Sequence, residues 1–274
     1  EFDMSKPGVK NDYFNSDYST CPELIKPTID FIAPTNFKSF KLFQPHYLFM
    51  IDISENSYQL GLPAYVINSV QVNLDSFDNA ENSYIGFALY DHKNVYFFYD
   101  EKNDIRLSIM GDIKDPFCPV SMKKIFLNIV QNREDIDKLI ERLNAFIEEK
   151  NTTAQNNLSK AKRQISTLTG CAMKSGIDSL LENGGRVMIF TPNPCKHGFG
   201  ACASRDSFDK EKEPRKANPY YPQHDLFIEI AEKAVNHRIC VDQFIFMSTS
   251  YDLSTFSVMS NLTGGHVEYY DYTT

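Results

Sequence analysis

Asp52, Ser54 and Asn56 stand at alternate positions directly after the apolar run Tyr47 to Ile51, and no other residues of the chain are better spaced for chemistry. A carboxylate and a hydroxyl on such a turn can offer oxygen ligands to a hard divalent cation, or fold back onto the turn's own amides. A second cluster, CKHGFGAC at 195–202, holds Cys195, His197 and Cys202, three soft ligands where structural zinc takes four. Its Gly198 and Gly200, with Ala203, also satisfy G-x-G-x-x-A. That dinucleotide fingerprint requires a strand immediately before it and a helix starting within it. Here several residues intervene after the apolar run 186–190 and the charged stretch SRDSFDKEKEPRK follows, so flexible-turn glycines are the expectation.

Nucleophilic or hydrolytic chemistry has little to stand on. The histidines at 46, 92, 197, 224, 237 and 266 are scattered, and the sequence has no G-x-S-x-G, H-E-x-x-H or P-loop. Cations gather twice, at Lys160, Lys162 and Arg163 and at Lys210, Lys212, Arg215 and Lys216. Such runs form solvated faces, or else meet acidic peptides and anionic headgroups. A net charge of −8 leaves no basic face for a phosphate backbone and excludes nucleic acid as a partner.

The elements that must position these residues alternate between strand and helix. Tyr47 to Ile53 fits a strand buried on both faces, which places Asp52 and Ser54 at the carboxyl edge of a parallel sheet. Pro63 to Val72 follows with helical spacing. Tyr84 to Tyr90 and Val95 to Tyr99 are strands joined by the turn Asp91 to Asn94, and Leu107 to Met110 is a third. Met122 to Glu149 carries the strongest helical pattern and is expected as two helices broken near Asn132, with Asn151 to Ser159 as a loop. Cys171 to Leu181 is a helix ended by Gly184 and Gly185, and Arg186 to Phe190 is a strand. A long proline-rich loop, 193–219, precedes the helix Leu226 to Val235, the strand Ile239 to Met247, the helix Ser254 to Ser260 and the strand His266 to Tyr270. This order predicts an α/β fold with a doubly wound, mostly parallel central sheet and helices on both faces. Residues 1–35, polar and punctuated by prolines, are expected as an extended arm, and 36–274 as one domain.

A chain of 274 residues can bury roughly three quarters of its unfolded surface, enough for one such domain. Six cysteines without a C-x-x-C pair are expected as reduced thiols, packed mostly as small apolar side chains. No leader-like start and no apolar run near ~20 residues is present, so a cytosolic setting is expected.

The segments PELIKPTIDFIAP (22–34), QPHYLFMIDIS (44–54), YIGFALYDHKNVYFF (84–98), GGRVMIF (184–190), VDQFIF (241–246) and LTGGHVEYY (262–270) resemble, in order, the trunk domain of the Sec twenty-four family. These are cargo adaptors of the COPII vesicle coat. The similarity runs from about Tyr13 to the C-terminus, and FIFMSTSYDLSTFSVMS (244–260) favours the adaptor over its sister, Sec twenty-three. The resemblance implies a von Willebrand factor A-like trunk whose first metal loop, Asp52, Ser54 and Asn56, is degenerate, because Asn56 stands where a second serine belongs and TPNP (191–194) lacks the carboxylate wanted from the third loop.

From the resemblance follow further expectations. The domain is a non-catalytic scaffold with no cofactor of its own, zinc belonging to an upstream module. It pairs with the sister subunit, works under a small GTPase of the Sar type, and supports recognition of sorting motifs on membrane cargo for transport from endoplasmic reticulum to Golgi. Association with the membrane is peripheral, at endoplasmic-reticulum exit sites and on vesicles. The chain is read as an excised trunk, with Glu1 to Met4 including a cloning remnant. The rival reading is a metal-dependent von Willebrand factor A-type interaction module outside the coat.

Overall fold

The computed structural model describes residues 27–28, 44–77, 79–157, 166–247 and 251–271, the side chains of 153–157 excepted. The chain divides into two units, 1–42 and 43–274, and the fold described here is that of the second. The expected arm at 1–35 lies outside the described residues apart from 27–28, as do Lys160, Lys162 and Arg163.

Strand β1 (His46–Asp52) is apolar and buried on both faces except at Tyr47, as a central parallel strand must be. It pairs in parallel with β2 (Tyr84–Tyr90) on one side and β6 (Gly185–Thr191) on the other. Beyond β6 come β7 (Ile239–Phe246) and β8 (Val267–Tyr270), also parallel. Beyond β2 the sheet turns antiparallel through β3 (Val95–Asp100) and β4 (Ile105–Met110), giving the order β4-β3-β2-β1-β6-β7-β8. Short β5 (Leu127–Asn128) pairs antiparallel with β2.

Helices α1 (Glu55–Gln59), α2 (Leu62–Asn73) and α4 (Arg133–Asn157) belong to one side of the sheet. Ile136, Leu139, Ile140, Leu143, Phe146 and Ile147 of α4 recur at helical intervals and pack with Phe49, Ile51, Phe87 and Phe98. On the other side α3 (Met122–Ile125), α5 (Thr169–Ser179), α7 (Leu226–Asn236) and α8 (Leu253–Thr263) pack on Leu48, Met50, Val187, Ile189 and Val241. The doubly wound, mostly parallel sheet with helices on both faces is therefore present.

Coverage is uneven. Along β6 and β7 the odd-numbered residues are buried, whereas Met188, Phe190, Phe244 and Phe246 on the opposite face are only half-buried. Phe190 stacks on Phe244 at 4.7 Å and Phe246 on Tyr270 at 4.9 Å between ring centroids. These aromatics and α2 border an open groove of about 680 Å3 that no described helix fills.

Three local expectations change. Met122 to Glu149 is two helices, the second starting directly after Asn132, but the break between them is wider than expected and opens at Phe126. β5 and a turn fill it: Asn128 Oδ1 accepts from the Val130 and Gln131 amides, and the Asn128 N–H donates to Asn132 Oδ1. The polar stretch after Glu149 continues α4 to Asn157 instead of forming a loop. It contains neither Gly nor Pro, and polar residues by themselves do not stop a helix. The long loop 193–219 contains a 3-10 turn, Arg205–Ser207, and the short helix α6 (Pro214–Ala217).

Gly185 shows why the GG turn before β6 is needed. Its φ is +146°, and a Cβ there would stand 2.4 Å from the His46 carbonyl oxygen, so only glycine lets β6 start beside β1.

Candidate functional site

The parallel register brings Asp52 of β1 beside Tyr90 of β2, and Ile51 beside Phe190 of β6, so three loops meet over the carboxyl ends of these strands. The first loop carries Ser54 and Asn56, the second Thr167 and Thr169, and the third Thr191 and Asn193. Asp52 is fully buried. Its Oδ1 accepts from the Ser54 amide at 2.6 Å, and its Oδ2 lies 3.4 Å from Thr191 Oγ1. Ser57, in the unforeseen helix α1, donates to the Asp52 carbonyl at 2.5 Å.

Asn193 ties the first loop to the third. Its Nδ2 donates to Ser54 Oγ at 2.5 Å, and its Oδ1 accepts from Asn56 Nδ2 at 2.6 Å. A hard cation needs several oxygens with free lone pairs, carboxylates foremost. Here the cluster has one carboxylate, and amide N–H groups already point at Ser54 Oγ and Asn193 Oδ1. Burial pushes the Asp52 carboxyl up to about 6, against hydrogen bonds from Ser54, Thr167 and Asn193. The donor set suits the bracing of loops and does not fit a divalent metal ion.

CKHGFGAC is a packed turn. His197 has both ring nitrogens engaged, Nδ1 with Ser166 Oγ at 2.9 Å and Nε2 with the His92 carbonyl at 2.6 Å. Because Nε2 faces a carbonyl it must donate, so in the neutral ring Nδ1 accepts from Ser166. The Cys195 and Cys202 thiols are buried and their pKa is pushed up to about 12 by that burial, the reverse of what a metal ligand or nucleophile requires. Gly200 has φ +70° and a Cβ there would stand 2.5 Å from the Phe227 ring, so this glycine serves close packing. Among the described residues no three His, Cys, Asp or Glu side chains are grouped to hold a metal.

The run Lys210 to Lys216 is less basic in space than in sequence. Lys212 meets Asp209 at 3.6 Å, Arg215 meets Asp225 at 2.9 Å and Lys216 meets Glu213 at 2.6 Å. Three of the four cations thus have carboxylate partners, and the segment is charge-balanced.

Arg205 was not visible as a key residue in the sequence. Its guanidinium grips both Asp252 oxygens, Nε to Oδ2 at 2.7 Å and Nη2 to Oδ1 at 2.6 Å, and binds the carbonyls of Lys216, Asn218 and Tyr221 at 2.8 Å each. Gln223 adds bonds to Asp252 and to both main-chain groups of Ala203. Burial raises the Asp252 carboxyl, but hydrogen bonds from Arg205, Thr255 and Gln223 outweigh it and hold the group below its ordinary range. The long loop is thereby clamped to the start of α8. No sequence signal could have paired residues 47 positions apart.

With this geometry established, comparison with known proteins gives a consistent answer. Residues 43–274 match the family model described as the Sec23/Sec24 trunk domain. Protein transport protein SEC24 C of Arabidopsis thaliana is 25% identical over 258 residues, which span 91% of this chain and 22% of that protein. Human protein transport protein Sec24B is 24% identical over 252 residues, 91% of this chain and 19% of its own length. The chain thus spans about a fifth of these relatives. The crystal structure of the human COPII-coat protein Sec24c aligns with a TM-score of 0.67 and 24% identity, over 84% of this chain and 30% of that one, which supports the fold.

Proposed function

The chain belongs to the Sec23/Sec24 trunk domain family, and from that premise we propose that it is a metal-free, non-catalytic scaffold of a COPII coat cargo-adaptor subunit. In this reading it pairs with the sister coat subunit, acts with a small GTPase of the Sar type, and supports selection of membrane cargo leaving the endoplasmic reticulum. The observation that carries the scaffold reading is the Asn193 amide lodged between Ser54 and Asn56. The three-loop cluster that would hold a metal in a ligand-binding relative of the fold is here spent on joining loops, over a carboxylate closed to solvent.

Pairing needs a surface, and the aromatic groove on β6, β7 and β8 is the best suited. A fully buried interface core is apolar and rich in aromatic residues, which is the composition of this groove. Tyr65 (70% exposed) and Tyr270 (45% exposed) stand at its border. Replacement of either leaves the core intact. Co-purification with the sister subunit tests the reading: the chain should be retained, and Tyr65→Asp with Tyr270→Asp should release it.

The charge balance around Lys210 to Lys216 supports an indirect attachment to membranes, made through the assembled coat. No described helix is long and apolar enough to cross a bilayer.

A further inference from the structure

The groove over β6, β7 and β8 restricts what can fill it. Its floor is Met188, Phe190, Phe244 and Phe246, with Tyr270 beside them, and the backbone beneath is already spent on the parallel ladders joining β6, β7 and β8. A strand adds to a sheet at an edge, where main-chain groups are open, so this face gives it nothing to pair with. An irregular segment would press its own amides and carbonyls against phenyl rings with no partner to satisfy them. A second sheet cannot lie flat, because Tyr65, Val66 and Val70 of α2 stand on the face as a wall. The occupant must satisfy its own backbone and show one apolar stripe, which describes an amphipathic helix. The width agrees: from β6 to β8 is two strand spacings, about 10 Å, against a helix diameter of about 10 Å.

Charge at the border is one-sided. Helix α2 carries no ionised side chain, and Arg186, the one cation on this face of β6 and β7, is taken by Asp242 at 2.5 Å. On the β8 side Glu268 is in register with Phe244 and so shares its face, while Asp271 lines the groove. Both carboxylates are exposed. The border is acidic along β8 alone, and its complement is a helix with basic residues on the matching flank.

We propose that the groove receives an amphipathic helix of the sister coat subunit, laid between α2 and β8, with lysine on the flank that meets Glu268 and Asp271. The inference rests on the groove being the pairing surface, and adds which element of the partner enters it.

The test is carbodiimide cross-linking of the 274-residue chain mixed with the sister subunit, since this reagent joins a carboxylate directly to an amine in contact with it. Glu268 or Asp271 should link to a lysine of the sister subunit, and the linked segment should carry apolar residues at helical intervals. Glu268→Lys combined with Asp271→Lys should weaken pairing about fivefold, the worth of two exposed ion pairs. If no complex forms, or if Tyr65→Asp with Tyr270→Asp does not release it, the pairing reading fails and this inference with it. If the tyrosine variant does release the complex, three results would overturn the helix alone: a linked segment that alternates as a strand does, no link from either carboxylate, or charge reversal that leaves affinity unchanged.

Discussion

Asp52 costs the fold stability at neutral pH. Its carboxyl is raised from 3.8 to about 6 by burial, so the folded protein holds that proton more tightly than the unfolded chain does. The resulting stabilisation is complete below 3.8 and is lost as pH rises through about 6. Above that range the native state carries a buried charge at a cost of about 3 kcal/mol. Asp52→Asn keeps an oxygen for the Ser54 amide and removes the charge. By urea denaturation it should exceed the parent in stability at about pH 7.5, with the gap closing towards about pH 4. A variant less stable than the parent at neutral pH would mean that the hydrogen bonds to the carboxylate from Ser54, Thr167, Thr191 and Asn193 outweigh the cost of its burial. The metal question has its own reading at this scale. A cation at a hundredfold excess over its Kd would add about 2.7 kcal/mol, so millimolar Mg2+, Mn2+ or Ca2+ should leave the melting temperature where it was. A shift reversed by chelator would contradict the bracing role of Asn193.

Among the elements, the clamp on the long loop makes the sharpest claim. Breaking a largely buried ion pair by removing one partner costs about 3 kcal/mol or more, and the Arg205 and Asp252 side chains are only 17% and 12% exposed. Arg205→Ala should lose stability of that order and speed amide exchange through 203–225. Arg205→Lys should not restore it, because an ammonium cannot grip both carboxylate oxygens and three carbonyls at once. Unchanged exchange in the loop would show that Gln223 and the prolines hold it alone.

The same contrast explains what was legible beforehand. Strands β1, β2, β6 and β7 announced themselves as apolar runs, and the GG turn before β6 was marked by its residue type. Asp52, Ser54 and Asn56 were placed correctly at the carboxyl edge. Helix α1 escaped notice because ENSYQ has no apolar period, and α4 was cut short because polar composition was taken for a loop. The roles of Arg205 and Asn193 depend on partners distant in sequence, which periodicity cannot report. The charge balance around Arg215 was hidden for the same reason: its carboxylate, Asp225, lies beyond α6.

On the scale of the molecule, two properties set how the domain meets its surroundings. One is its charge, −8 overall, with three of the four cations in the one described basic run paired to carboxylates. Attraction to an anionic bilayer is worth about 1 kcal/mol for each basic residue near the surface and needs a cluster. Cosedimentation of the chain alone with anionic liposomes should therefore be weak and should rise when the sister subunit and the active GTPase are added. Strong binding by the chain alone would assign the membrane contact to this domain. The other is the part of the sheet face that no described helix covers. In a doubly wound fold, parallel strands are covered on both faces, so the half-buried row Met188, Phe190, Phe244 and Phe246 calls for a cover.

Sedimentation velocity on the chain mixed with the sister coat subunit tests the central claim most directly. The account predicts a one-to-one complex, lost when Tyr65→Asp and Tyr270→Asp are combined in a variant that melts like the parent. A folded chain that sediments as though the sister subunit were absent would contradict it.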